Sequence, residues 1–238
     1  MVLLVAEEGP LRAAIANELE AAGIAVSTAP PDHDDLWSAA RKQRAIVYIP
    51  SVNLLEGKVR PAPSEARMRD VLGAAEAPGV EVLVPLFPAT GAYDAEVRVM
   101  KRHGKPYAAL RAEPVLEEFA TLVPSDMRAL YLPRTGAARY CRTEAISRAV
   151  LDAIATEEQG RVTDVEAEYA DAATLIRKAT GTVRRPVRVR GLWPWLFRLL
   201  EPALRWLSRG EARALEALGR IFPELDRRHP ALPGPRPD

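Results

Sequence analysis

Apolar residues fall into two spacings along this chain. Val2 to Ala6 is aliphatic at every position, the pattern of a strand buried on both faces. After a polar turn, Glu7-Glu8-Gly9-Pro10, the residues Leu11, Ile15 and Leu19 recur one helical turn apart, with Ala14 and Ala22 beside them. Gly23 stands where helices commonly stop, and Ile24 to Ser27 opens a second strand. This is the opening β-α-β of a doubly wound α/β domain. A helix is expected from Asp34 to Arg44, with Asp32, Asp34 and Asp35 at its start, where acids cap amides and complement the dipole. A third strand follows at Ala45 to Ile49. Pro50-Ser51-Val52 lies at its carboxyl end, where ligands sit in such sheets. Residues 50–63 form a Pro-punctuated loop, and Ser64 is expected to cap a helix that turns Met68, Val71 and Leu72 inward.

Composition narrows the classes. With 238 residues, 48% of them apolar, the chain allows one large domain or a domain with a small appendage. A net charge of +1 gives no argument for nucleic acid or an acidic substrate. The single cysteine, Cys141, excludes a disulfide framework within the chain. His33, His103 and His229 have no metal-ligand spacing, so no metal is expected. The opening apolar run has no basic region ahead of it and ends at Glu7, so no signal peptide and a cytoplasmic location are expected.

Several segments carry a family resemblance. The strand-turn-helix at the start, the segment Val71 to Pro85 with its Gly79-Val80 hinge and fourth strand, and His103-Gly104-Lys-Pro-Tyr107-Ala-Ala-Leu110-Arg111 are three of them. Tyr140 to Ile154, read as a late strand and helix, is a fourth. Gln159 to Ala167 then supplies a further strand, Asp171 to Thr180 a small helix ending at Gly181, and Val183 to Val189 a basic strand. In this order they resemble the short-chain dehydrogenase/reductase superfamily, in its atypical and extended branches, the epimerase-like and NmrA-like proteins. The resemblance implies an α/β fold: a Rossmann-like doubly wound parallel sheet with a small C-terminal helical substrate-type lobe. The expected division is a Rossmann-like NAD(P)-binding-type domain at 1–160, a lobe at 161–226 and a disordered Pro-rich tail at 227–238.

The resemblance also marks site positions. The family's Gly-x-x-Gly-x-x-Gly falls on Ala6, Gly9 and Arg12, so only Gly9 is kept. That motif brings backbone amides against a pyrophosphate at a helix N-terminus. Here Pro10 lacks an amide, Arg12 replaces the glycine of close approach, and Glu7 and Glu8 stand beside the phosphate positions. Each acid would oppose an anion about 5 Å away by roughly 3 kcal/mol at an effective dielectric of 20, before solvent screening. Asp32, past the second strand, takes the position of an acid that holds the adenosine ribose, and Ser51 lies at the end of the third strand. The family's strand-four serines fall on Pro85, Leu86 and Phe87. In its Tyr-x-x-x-Lys pair the tyrosine exchanges the proton and the lysine lowers its pKa. Tyr93 takes the tyrosine position, but Val97 stands where the lysine belongs and Lys101 is two helical turns from Tyr93. Arg111 matches an arginine at the entrance to the substrate region.

Glycines, serine and lysine thus fail together. The expected function is a catalytically degenerate member acting as a binding, regulatory or scaffold protein, with no cofactor expected and NAD(P) if any. Two alternatives stay open: an active NAD(P)-dependent oxidoreductase or epimerase with Tyr93 as its acid, and a membrane-associated accessory protein. The partner would be an unknown small molecule or protein. The stretch 191–222 carries Trp193, Leu196, Phe197 and Leu200 on one face, with Arg198, Arg205 and Arg209 nearby. It reads as helices that close the lobe, as a peripheral membrane contact or as a partner surface. If it closes the lobe, a chain cut before Gly191 exposes apolar surface, and ANS fluorescence of the truncated protein rises above that of the intact one.

Overall fold

The structure is a computed structural model. It describes residues 1–33, 35–50, 54–55, 65–89, 93–123, 125, 128–133, 137–156, 160–183 and 187–192. These fold as two compact units, one of residues 1–115 and 141–167 and one of 116–140 together with the chain from 168.

The first unit is a six-stranded parallel sheet. Its strands are β1 (Val2–Val5), β2 (Val26–Ala29), β3 (Ala45–Tyr48), β4 (Val82–Pro88), β5 (Ala108–Ala112) and β8 (Arg161–Asp164), in the order β2-β1-β3-β4-β5-β8. Its helices are α1 (Pro10–Ala21), α2 (Leu36–Ala40), α3 (Glu65–Ala75), α4 (Asp94–His103) and α5 (Thr143–Ala155). Strand residues alternate between two cores. Val2, Leu4, Val47 and Val84 pack with Ile15 and Leu19 of α1 and with Ile146 and Val150 of α5. Leu3, Val5, Ile46 and Leu83 pack with Leu36 of α2, Met68 and Leu72 of α3, and Met100 of α4. A strand buried on both faces needs no polar alternation, which is why β1 reads as an unbroken aliphatic run.

Boundaries shift where tertiary contacts decide them. β2 begins at Val26 rather than Ile24, because Val26 is the residue that pairs with Val2. The helix expected over 34–44 is only Leu36–Ala40. Asp35 caps it by accepting from the Ser38 N–H at 2.8 Å. It ends because the Lys42 amide is drawn to the Pro78 carbonyl and Lys42 takes a left-handed φ of 68°. The chain then crosses directly over β1 into β3. α4 ends at Gly104, whose φ of 76° is the left-handed turn that glycine supplies without a Cβ clash.

The second unit holds a parallel pair, β6 (Ala129–Pro133) with β10 (Arg188–Leu192), and an antiparallel pair, β7 (Ala137–Tyr140) with β9 (Glu168–Asp171). A 3-10 helix at Leu116–Leu122 and helix α6 (Ala172–Thr182) complete its described part. This unit is built from two separate stretches of chain, whereas the sequence reading drew one boundary after residue 160. Just past that position, Arg161 to Asp164 pair with β5 and so belong to the main sheet. The basic strand expected at 183–189 lies at Arg188–Leu192, so Gly191 and Leu192 are strand residues and a truncation that spares β10 starts after Leu192. The rest of the stretch 191–222, from Trp193, and the tail lie outside the described residues. Among the described residues no helix is long and apolar enough to cross a membrane.

One polar cluster braces the second unit. The fully buried Tyr140 hydroxyl donates to Glu168 Oε2 and accepts from Lys178 Nζ at 2.9 Å. Asp171 caps α6, accepting from the Thr174 N–H at 3.0 Å and the Thr174 hydroxyl at 2.8 Å. Burial acts to raise the Asp171 pKa, but the hydrogen bonds from Thr174 and the neighbouring amides outweigh it and hold the carboxyl below its ordinary value. Asp171→Ala is expected to cost about 1 kcal/mol in urea denaturation. A depressed folded-state pKa stabilises above the unfolded value of about 3.9 and is lost as pH falls through the folded one. The gap between wild type and variant should therefore be full at neutral pH and narrow in acid.

Candidate functional site

Sheet order places the crevice. β1 leads to β2 on one side, and β3 begins the run on the other, so the strand order reverses between β1 and β3. Open parallel sheets bind ligands outside the carboxyl ends of their strands at such a reversal. Here those ends carry the turn Ala6 to Gly9 and the residues Ile49 and Pro50. The Ile49 amide is tied to the Val5 carbonyl at 2.9 Å and the Ala6 amide to the Ala29 carbonyl at 3.0 Å. Gly9 has φ 173° and ψ 171°, an extended backbone open to any residue, and Pro10 is the first residue of α1. No side chain caps that helix.

Arg12 reaches back over this turn. Its guanidinium donates to the Ala6 carbonyl at 3.3 Å and to Glu8 Oε1 at 3.0 Å. The side chain is 18% exposed, against 90% for Glu8. Arg67 Nη1, from α3, lies 3.7 Å from Glu7 Oε1. The sequence places both acids beside the phosphate positions, and there the structure pairs them. Each acid has an arginine partner, so the local charge is neutralised within the protein. The arginine at the third glycine position spans the turn instead of wedging helix from strand.

The remaining predicted residues disperse. Tyr93, immediately before α4, is 2% exposed and its ring stacks on Phe87 with centroids 5.1 Å apart. Val97 is half-buried on the same helix and Lys101 is exposed. Pro85, Leu86 and Phe87 are strand residues of β4 with buried side chains. Arg111 lies on β5 and donates from Nε to Asp164 Oδ1 of β8 at 2.9 Å, its register partner. Asp32 is exposed in the turn after β2. Ser51 lies outside the described residues. Among the described residues no three His, Cys, Asp or Glu side chains converge as a metal site.

Two features escaped the sequence reading. Tyr48, at the carboxyl end of β3, is fully buried, and among the described residues its hydroxyl has no hydrogen-bond partner. Desolvation pushes this phenol well above its ordinary pKa, with Arg67 acting in the opposite direction. The second is an open cavity of about 590 Å³ beside α2 and α3, to which Asp32 contributes. Tyr48 looks in sequence like another strand residue, and the cavity joins residues some 40 positions apart, so neither leaves a local signal.

The fold is that of NAD(P)-dependent epimerases and reductases. The chain is similar to a nucleoside-diphosphate-sugar epimerase from Staphylococcus aureus, with 14% identity over 94% of this chain and 90% of that one and a TM-score of 0.58. It is also similar to a dTDP-4-dehydrorhamnose reductase from Bacillus anthracis in complex with NADP, with 11% identity, coverage of 82% and 86%, and a TM-score of 0.62. An NADPH-dependent quinone oxidoreductase from Escherichia coli, complexed with NADPH, is 16% identical over 93% of this chain and 91% of that one, with a TM-score of 0.57. No family model and no curated protein matches the chain.

The surroundings of Tyr93 are those of a packed core ring. Tyr93→Ala should cost about 3 to 5 kcal/mol, the usual range for an aromatic deleted from a core, read as a fall in the denaturant midpoint.

Proposed function

We propose that this protein keeps the dinucleotide-binding fold without holding a dinucleotide, and works as a binding or regulatory protein. The observation that carries this reading is Arg12, bonded to the Ala6 carbonyl and the Glu8 carboxylate across the β1–α1 turn. A pyrophosphate fits this turn poorly. It would have to displace the guanidinium or separate it from Glu8, and Pro10 offers no amide in compensation. Support also comes from the catalytic positions, where Val97 replaces the lysine and Tyr93 is stacked on Phe87.

A second reading has its own support. The reductase from Bacillus anthracis and the oxidoreductase from Escherichia coli hold NADP and NADPH on the same fold. An Arg12 that leaves Glu8 would be a cation beside the phosphate position, and the protein would then be an oxidoreductase or epimerase. Titration with NADPH, followed by calorimetry, separates the two. The degenerate reading expects no saturable binding below millimolar concentration in the wild type, and tighter binding in a Glu7→Gln, Glu8→Gln, Arg12→Gly variant. Micromolar binding by the wild type, about 8 kcal/mol, would sink it. Weaker binding by the variant would make Arg12 a phosphate ligand.

A further inference from the structure

The cavity of about 590 Å³ in the sheet unit lies between the turn after β2 with α2 on one side and α3 on the other. Its volume is in the range of small-molecule sites. No residue of the β1–α1 turn lines it. The β2–α2 segment contributes Asp32, Asp35 and Trp37, and α3 contributes Arg69, Asp70 and Gly73.

Charge and shape both select an occupant. Asp35 is engaged by the Ser38 amide, and Arg69 pairs with Glu65 at 3.5 Å along its own helix. Among the described residues, Asp32 and Asp70 take part in no hydrogen bond or ion pair. The cavity therefore presents two carboxylates without an ion-pair partner, beside Arg69, which pairs with Glu65, and His33, whose Nδ1 accepts from the Asp35 amide. Trp37 is 44% exposed, uncommon for so large an apolar side chain, and Arg41, which does not line the cavity, sits 5.5 Å from its ring centroid. Gly73 stands in the last turn of α3 without a left-handed backbone, and a Cβ built on it meets nothing within 4 Å. Neither crowding nor backbone strain requires a glycine there, where alanine would make the better helix. What its missing side chain does is widen the cavity wall.

We propose that this cavity binds a flat organic cation, an aromatic amidinium or ammonium compound. Its ring lies against the Gly73 backbone and the Trp37 indole, and its charge is answered by Asp32 and Asp70. The Asp70 and Gly73 side of the cavity is separate from the β1–α1 turn, whereas Asp32 is shared with the ribose position that the resemblance marks.

Benzamidinium, neutral benzamide and benzoate are titrated into the intact protein and followed by indole N–H resonances, with Trp37→Phe identifying the Trp37 signal. Benzamidinium should shift that signal saturably at millimolar concentration, benzamide should bind about tenfold more weakly and benzoate not at all. Asp70→Asn should weaken benzamidinium binding about tenfold. Gly73→Ala should weaken it while raising the melting temperature, so that lost binding is not lost folding. Equal affinity for benzamide, or full benzamidinium affinity in Gly73→Ala, would overturn the proposal. So would displacement of benzamidinium by NADPH, which would make the cavity part of a dinucleotide crevice.

Discussion

Burial of the central strands on both faces is the constraint from which the rest of this structure follows. β1, β3 and β4 lie inside a parallel sheet, and every residue of each is buried. Such a sheet is stable only if helices cover both sides, because each buried Leu or Val contributes about 1.5 to 3 kcal/mol only while water is kept off it. α1 and α5 cover one face, and α2, α3 and α4 the other. The crossover connections that place helices there also carry every strand-to-helix loop to the carboxyl ends of the strands. A crevice at the β1/β3 reversal is thus a by-product of the packing.

What occupies that crevice is not constrained by the packing. The turn after β1 contributes little to the core beyond Ala6, so its other residues can change without loss of fold. Here they form two acid–arginine pairs, Glu8 with Arg12 and Glu7 with Arg67. Exposed pairs of this kind contribute at most about 1 kcal/mol each to stability. Their larger consequence is electrostatic, since they leave a nearly neutral turn at the helix N-terminus, the kind of place where dinucleotide-binding folds take a phosphate. The cavity beside α3 holds two carboxylates, Asp32 and Asp70, that form no ion pair among the described residues.

Element identity in the first unit was largely legible in the sequence, and the physical reason is that it is local. The all-aliphatic strand, the helical spacing of Leu11, Ile15 and Leu19, and the stops at Gly23 and Gly104 depend on neighbours within a few residues. The residues at the motif positions that the resemblance marks were legible too, because Ala6, Arg12, Pro85 and Val97 are identities rather than geometries. Only the tertiary structure decided where those side chains go. Arg12 turned to a backbone carbonyl six residues behind it, and Glu7 met an arginine sixty residues away. Arg111 was claimed by Asp164 because β8 joins β5 at the sheet edge. The strand pairing of the second unit was hidden for the same reason: β6–β10 and β7–β9 join stretches separated by all of α5 and β8. Periodicity reports which face of an element is apolar. Which distant charge, ring or strand meets that element is set by the order of strands in the sheet, and no local pattern records it.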